Sequence, residues 1–191
     1  KLRKALFLAV DRQEAQQVNL GGGGFISGPM LWKIFPGWTW SEQELLKREG
    51  YRPKNTPEGQ ADIAEAQKLM KELGYGPDKP LGLEAEGASF YPWVNLTNME
   101  VAKSEWKKIY VDIKTIRMAD QAQWFDQDTS GNWFLRARGY NTALEPDDQL
   151  YTRYYTGAGR NYIGFSDKEI DKLLDQQRLE LDVAKRKAMI M

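Results

Sequence analysis

The residues best suited to chemistry lie in one stretch, WFLRARGYNTALEPDDQLYTRYYTGAGRNYIGFSD, from Trp133 to Asp167. Beyond Gly139, the side chains of Tyr140, Asn141 and Thr142 put a phenol, an amide and a hydroxyl next to one another without charge. Pockets use that mixture to fix a small neutral or zwitterionic molecule. The acids follow: Glu145, Asp147 and Asp148 form the obvious carboxylate set for acid-catalysed hydrolysis. Around Pro146, however, they also fall where a helix begins. There, acids serve as caps and as partners of the helix dipole.

Much other chemistry is excluded. The chain has no cysteine and no histidine, so thiol nucleophiles, disulfides, Ser-His-Asp triads and Cys/His zinc sites are absent. Asp126, Asp128, Ser130 and Gly131 match the first half of a calcium-binding EF-hand loop. Its twelfth position, which needs a bidentate Glu, is Ala137. A solvated turn from helix to strand is the preferred reading, and no metal or cofactor is called for. The glycines at 21–24 lack the Gly-Lys-Ser/Thr of a phosphate loop and read as a flexible turn. The aromatic-rich loop after them offers Phe25 and Trp32 as stacking faces for a sugar or peptide, or as cover for the core.

Positioning these residues requires an α/β framework, a mixed and mostly parallel sheet flanked by helices. Residues 1–18 carry Leu2, Ala5, Leu6, Ala9 and Val10 at helical spacing. Ser41 with Glu44 spells a capping box, and Thr56-Pro57 opens a longer helix that ends at Gly74. Alternation marks strands at 81–86 and 111–114, with a helix at 94–109 between them, so the pair is expected to be parallel. A further helix covers 120–126, a strand is expected at 133–137, and a helix starts at Pro146. Ser166 is expected to cap a helix over 167–177, and Asp182 a last one. The sequence therefore runs strand, polar turn, helix, and ligands in open α/β sheets sit beyond the carboxyl ends of strands.

Composition is that of a globular chain, 191 residues long and 41% hydrophobic. Lys plus Arg and Asp plus Glu both number 27, so no net field favours nucleic acid or an anionic membrane. No apolar run approaches a membrane span, and no signal peptide is visible. The chain starts and stops inside helical patterns, which reads as a fragment of a larger protein.

Four ordered pieces carry a resemblance: Leu2 to Leu6 through Ala9 to Arg12; the helix from Ala66 that ends Leu73-Gly74-Tyr75; Trp106 to Ile109 leading to Val111-Asp112-Ile113; and Asn161 to Asp167 through Ile170, Asp171, Leu173 and Leu174. Together they resemble the peptide/nickel-type, family 5, extracellular solute-binding proteins of ABC importers. The resemblance implies that residues 1–191 are the carboxy-terminal lobe of a two-lobed periplasmic-binding-protein type II fold. It implies a non-enzymatic receptor, exported to the periplasm or cell surface, that closes around a peptide, oligosaccharide or other polar solute and hands it to an ABC permease. Its partners are then the solute, the amino-terminal lobe of the same parent chain and the permease, with Gly139, Tyr140, Asn141, Thr142, Trp32 and Phe25 as ligand-binding residues. In the family's peptide binders an Asp in this turn pairs with the peptide's amino terminus, and the matching position here is Thr142. A hydroxyl leaves a buried ammonium without a counter-charge, so a neutral solute becomes as plausible as a peptide. A second departure is Tyr110, where the family usually has Gly. Two alternatives stay open: a hydrolase using Glu145, Asp147 and Asp148, and an interaction domain using exposed aromatics.

Overall fold

The structure is a computed structural model that describes residues 1–139 and 143–191, with the backbone alone at 93–95. The chain divides into two compact units. Unit 1 comprises Lys1–Ile26, Leu46–Asp126 and Asn132–Gly139; unit 2 comprises Ser27–Leu45, Gln127–Gly131 and Tyr140–Met191.

Unit 1 is a small parallel sheet with helices. Its first helical stretch is interrupted: α1 spans Leu2–Ala9 and α2 spans Arg12–Leu20, with Val10 extended between them at ψ 124°. The single helix expected over 1–18 is thus corrected. The Asp11 carboxylate accepts the N–H groups of Gln13 at 3.0 Å and Glu14 at 3.1 Å and starts a new helix, none of whose residues is buried. The helix α4, Pro57–Glu72, opens on the Thr56 hydroxyl, which accepts the Gly59 N–H at 3.1 Å. The strands β1, Leu81–Ala88, and β2, Val111–Met118, pair in parallel from Leu81 opposite Val111 to Ala88 opposite Met118, joined by α5, Pro92–Lys107. This is the strand, helix, strand unit expected from the sequence.

The core follows from these faces. Ala5, Leu8, Ala66, Met70, Ala85, Met99, Ile109 and Val111 are buried together, and the Trp106 indole joins them while donating to the Leu6 carbonyl at 2.8 Å. Apolar burial drives the packing. A smaller cluster holds Ala88, Met118 and Trp124. Tyr110, where a Gly was anticipated, has φ +67°, the left-handed conformation that explains the preference for glycine between α5 and β2.

Two expectations fail near the end of unit 1. α6, Gln121–Ser130, continues through the supposed calcium turn, so Asp126 to Ser130 are helical. The strand expected at 133–137 reduces to one parallel bridge, Arg136 beside Glu86 of β1. Its aromatic residues were the reason to expect a strand; Phe134 is 64% exposed, while Leu135 and Ala137, on the alternate positions, pack against the core.

Unit 2 is helical. α3, Glu42–Leu45, forms behind its capping box, with the Ser41 N–H donating to Glu44 at 2.8 Å. α7, Pro146–Tyr154, α8, Lys168–Leu179, and α9, Val183–Ile190, follow. Asp182 caps α9 as anticipated, accepting from Ala184 and Lys185. The cap of α8 is Asp167 rather than Ser166: its carboxylate accepts from Glu169 at 2.9 Å and Ile170 at 3.2 Å, while the Ser166 hydroxyl bonds Thr156. Among the described residues no helix is long and apolar enough to cross a membrane.

Candidate functional site

Tyr140, Asn141 and Thr142 lie outside the described residues, so the site is described by its flanks. Gly139 is exposed at the end of unit 1's last segment. Phe25 is half-buried in unit 1, and Trp32 is half-buried in unit 2 with the Lys33 ammonium 5.5 Å from its ring.

The segment leading into the turn is held by one side chain. Arg136 is almost wholly buried, with a guanidinium that donates to Glu86 of β1 through Nε at 3.0 Å and to the Trp124 carbonyl at 3.0 Å. It also lies 3.9 Å from the Trp124 ring centroid. A planar cation that spends its donors on a carboxylate and its face on an indole is a strong local clamp. Two backbone bonds complete the hold: Glu86 N–H to the Leu135 carbonyl at 2.9 Å and Ala137 N–H to the Glu86 carbonyl at 3.4 Å.

The segment leaving the turn is held by a polar network within unit 2. Gln149, 4% exposed, accepts the Ala143 N–H at 3.1 Å through its side-chain oxygen. The Glu145 carboxylate caps α7 by accepting the Asp147 N–H, and it also receives Arg186 of α9 at 2.6 Å. Arg186 Nε donates to Gln177 of α8 at 3.0 Å, and the Gln177 amide donates to Asp147 and to the Leu174 carbonyl. Arg178 pairs with the other Asp147 oxygen at 3.3 Å. Two of the three acids proposed for hydrolysis are therefore engaged as a cap and as ion-pair partners. Among the described residues no group of three acids could hold a metal ion.

Arg136, Gln149, Gln177 and Arg186 were missed in the sequence. One signal existed for Gln177: it continues the apolar spacing of Ile170, Leu173 and Leu174, so a buried amide was legible there. Nothing local marks the others, whose partners are distant in sequence. Unit 2 also contains a cavity of about 290 Å³ lined by Leu150, Tyr154, Phe165, Leu174, Met189 and Ile190.

Comparison with known proteins gives a consistent picture. The family described as bacterial extracellular solute-binding proteins, family 5 Middle, matches residues 1–162. A curated relative, the probable deoxycholate-binding periplasmic protein YgiS of Escherichia coli, is 25% identical over 194 residues, covering 99% of this chain and 33% of its own length. Among solved structures, the Escherichia coli murein tripeptide-binding protein MppA superposes with a TM-score of 0.75 at 23% identity, over 99% of this chain and 35% of that one. NikA from Staphylococcus aureus, in complex with Ni(L-His)2, gives 0.74 at 20% identity over 98% and 37%. The chain spans about a third of the length of these relatives.

Proposed function

The chain belongs to the family 5 bacterial extracellular solute-binding proteins, and from that premise we propose that residues 1–191 are the carboxy-terminal lobe of a two-lobed receptor for an ABC importer. The receptor works at the cell surface or in the periplasm, without chemistry. It closes on its solute because a ligand touching both lobes stabilises the closed state by its differential affinity. In this lobe the gripping residues are Gly139, Tyr140, Asn141 and Thr142, with Phe25 or Trp32 as a stacking face.

The observation that carries the solute class is charge. The turn has none, and two of the acids that follow it in sequence, Glu145 and Asp147, are paired with Arg186 and Arg178. With Thr142 in place of an Asp, the turn itself offers the ammonium of a peptide no counter-charge, and burying that charge unpaired is costly. An uncharged oligosaccharide meets no such penalty, whereas deoxycholate, the solute in the curated relative's name, would bring a carboxylate.

A thermal-shift series on the full-length parent protein tests this with trialanine, maltotriose and deoxycholate. A ligand that binds only the native state raises Tm in proportion to the logarithm of its concentration. Maltotriose is expected to shift Tm, and the charged trialanine and deoxycholate to shift it less. A response to trialanine alone would contradict the charge argument, and silence from all three would count against the solute reading.

A further inference from the structure

The three long helices of unit 2 meet around a space that their side chains do not fill. The stripe of α8 sets Ile170, Leu173, Leu174 and Gln177 at the spacing of one helix face. All four wall a pocket of about 290 Å³ whose other sides come from α7, α9 and the loops beside them. Close-packed interiors leave few voids larger than a water molecule, and the atoms around an empty one forfeit the contacts that would stabilise them.

The chemistry of the wall is one-sided. None of its side chains is charged, so an ion would enter at the full cost of its desolvation. Its amide, Gln177, is 1% exposed and already used at both ends: the nitrogen donates to Asp147 and to the Leu174 carbonyl at 3.0 Å, and the oxygen accepts from Arg186 at 3.0 Å. A peptide segment would bring backbone N–H and C=O groups that need partners, and this amide has none to give. The rest of the wall suits a ring. Tyr154 and Phe165 meet edge to face with centroids 6.0 Å apart, and Met189, unbranched and polarisable, adapts to the shape set against it. Ile170 and Leu173, 36% and 38% exposed, leave a way in from solvent. An apolar cavity of about 150 Å³ already takes up benzene. We propose that this pocket is a binding site for a neutral apolar molecule of about two fused rings, because it offers about twice that space. The proposal stands apart from the turn at 139–142 and from the solute read there.

The test titrates 1-fluoronaphthalene, followed by fluorine NMR, with the full-length parent protein and with residues 1–191. Both are expected to bind it saturably and one to one. The charged counterpart 1-naphthoate is expected to compete about tenfold more weakly or worse. Met189→Trp, which fills the pocket, and Ile170→Trp, which covers its mouth, are each expected to weaken binding about tenfold or more, since the added indole takes the contacts of the ring. Leu181→Trp, at a side chain 94% exposed and outside the lining, leaves binding unchanged and controls for general greasiness. Should Met189→Trp fail to fold, Ile170→Trp decides, because its position is open enough to take a larger side chain. Four results overturn the proposal: no saturable binding by either protein, folded pocket variants that bind like the wild type, a loss in Leu181→Trp equal to theirs, or binding by residues 1–191 but not by the parent. The last would mean that another part of the parent chain fills the pocket.

Discussion

Unit 1 and unit 2 are held together by different physics. In unit 1, Leu8, Met70, Ile109 and Val111 are at most 1% exposed, and helices and sheet meet in a main apolar core beside a smaller cluster. In unit 2, the bonds from α8 and α9 to the start of α7 run through Gln177 and Arg186, while Leu179, Leu181 and Val183 stand 83%, 94% and 58% exposed. The difference teaches that unit 1 is organised by apolar packing around its sheet, whereas the helix ends of unit 2 are tied to one another by directional bonds between side chains.

The largest effect that can break this contrast lies in a buried charge cluster of unit 1. Asp62, 2% exposed, accepts from the Gly50 N–H at 2.9 Å and from Arg52 and Lys54, each at 3.1 Å. Asp62→Ala leaves Lys54 buried without its partner and should cost about 3–5 kcal/mol in urea unfolding. A cost near that of a surface substitution would show that unit 1 tolerates loss of its anchor. Next come the paired truncations Met70→Ala and Leu174→Ala. The first opens a void in a closed core and should cost about 3 kcal/mol or more. The second removes a wall of an existing cavity and should cost about 2 kcal/mol or less, because the price of a truncation depends on the packing it disrupts. Equal costs would erase the distinction between the units.

A smaller effect concerns pH. Burial pushes the Glu105 carboxyl above the ordinary glutamate range; Glu14 adds to the rise, and Lys108 opposes it at 2.6 Å. The folded state then holds its proton more tightly than the unfolded state. The stability this contributes is fully present below the ordinary glutamate value and is lost as pH rises through the elevated folded value. Glu105→Gln should flatten that slope in a series of urea melts across acidic pH, and an unchanged slope would contradict the assignment. The smallest expected change is Tyr110→Gly. It relieves a left-handed backbone that costs an L-residue about 1–2 kcal/mol, and loses the ring's packing against the core. A net gain of up to about 1 kcal/mol follows, and a loss larger than that would mean that packing outweighs strain.

What was legible in the sequence was what is local. The Ser41–Glu44 box, the Thr56-Pro57 start, the Asp182 cap and the alternation of Val111 and Ile113 each act over a few residues, and each formed as read. The break at Val10 is set by the short carboxylate of Asp11, which caps a second helix, and the apolar stripe, which runs only to Val10, does not mark it. The failed strand at 133–137 depended on a non-local partner: aromatic residues favour a pleated surface, but only β1 could supply the ladder, and Arg136 supplies the anchor instead. The same reason accounts for the site. The uncharged turn and the acids after it can be read in order, while Gln149, Gln177 and Arg186 acquire their meaning only when three helices meet.

The most direct measurement compares this chain with its full-length parent in calorimetric titration against whichever of trialanine, maltotriose and deoxycholate the parent binds. If residues 1–191 are one half of a clamp, the parent binds the solute with one-to-one stoichiometry, and the chain alone binds it far more weakly or not at all. Tight one-to-one binding by residues 1–191 alone would contradict the account.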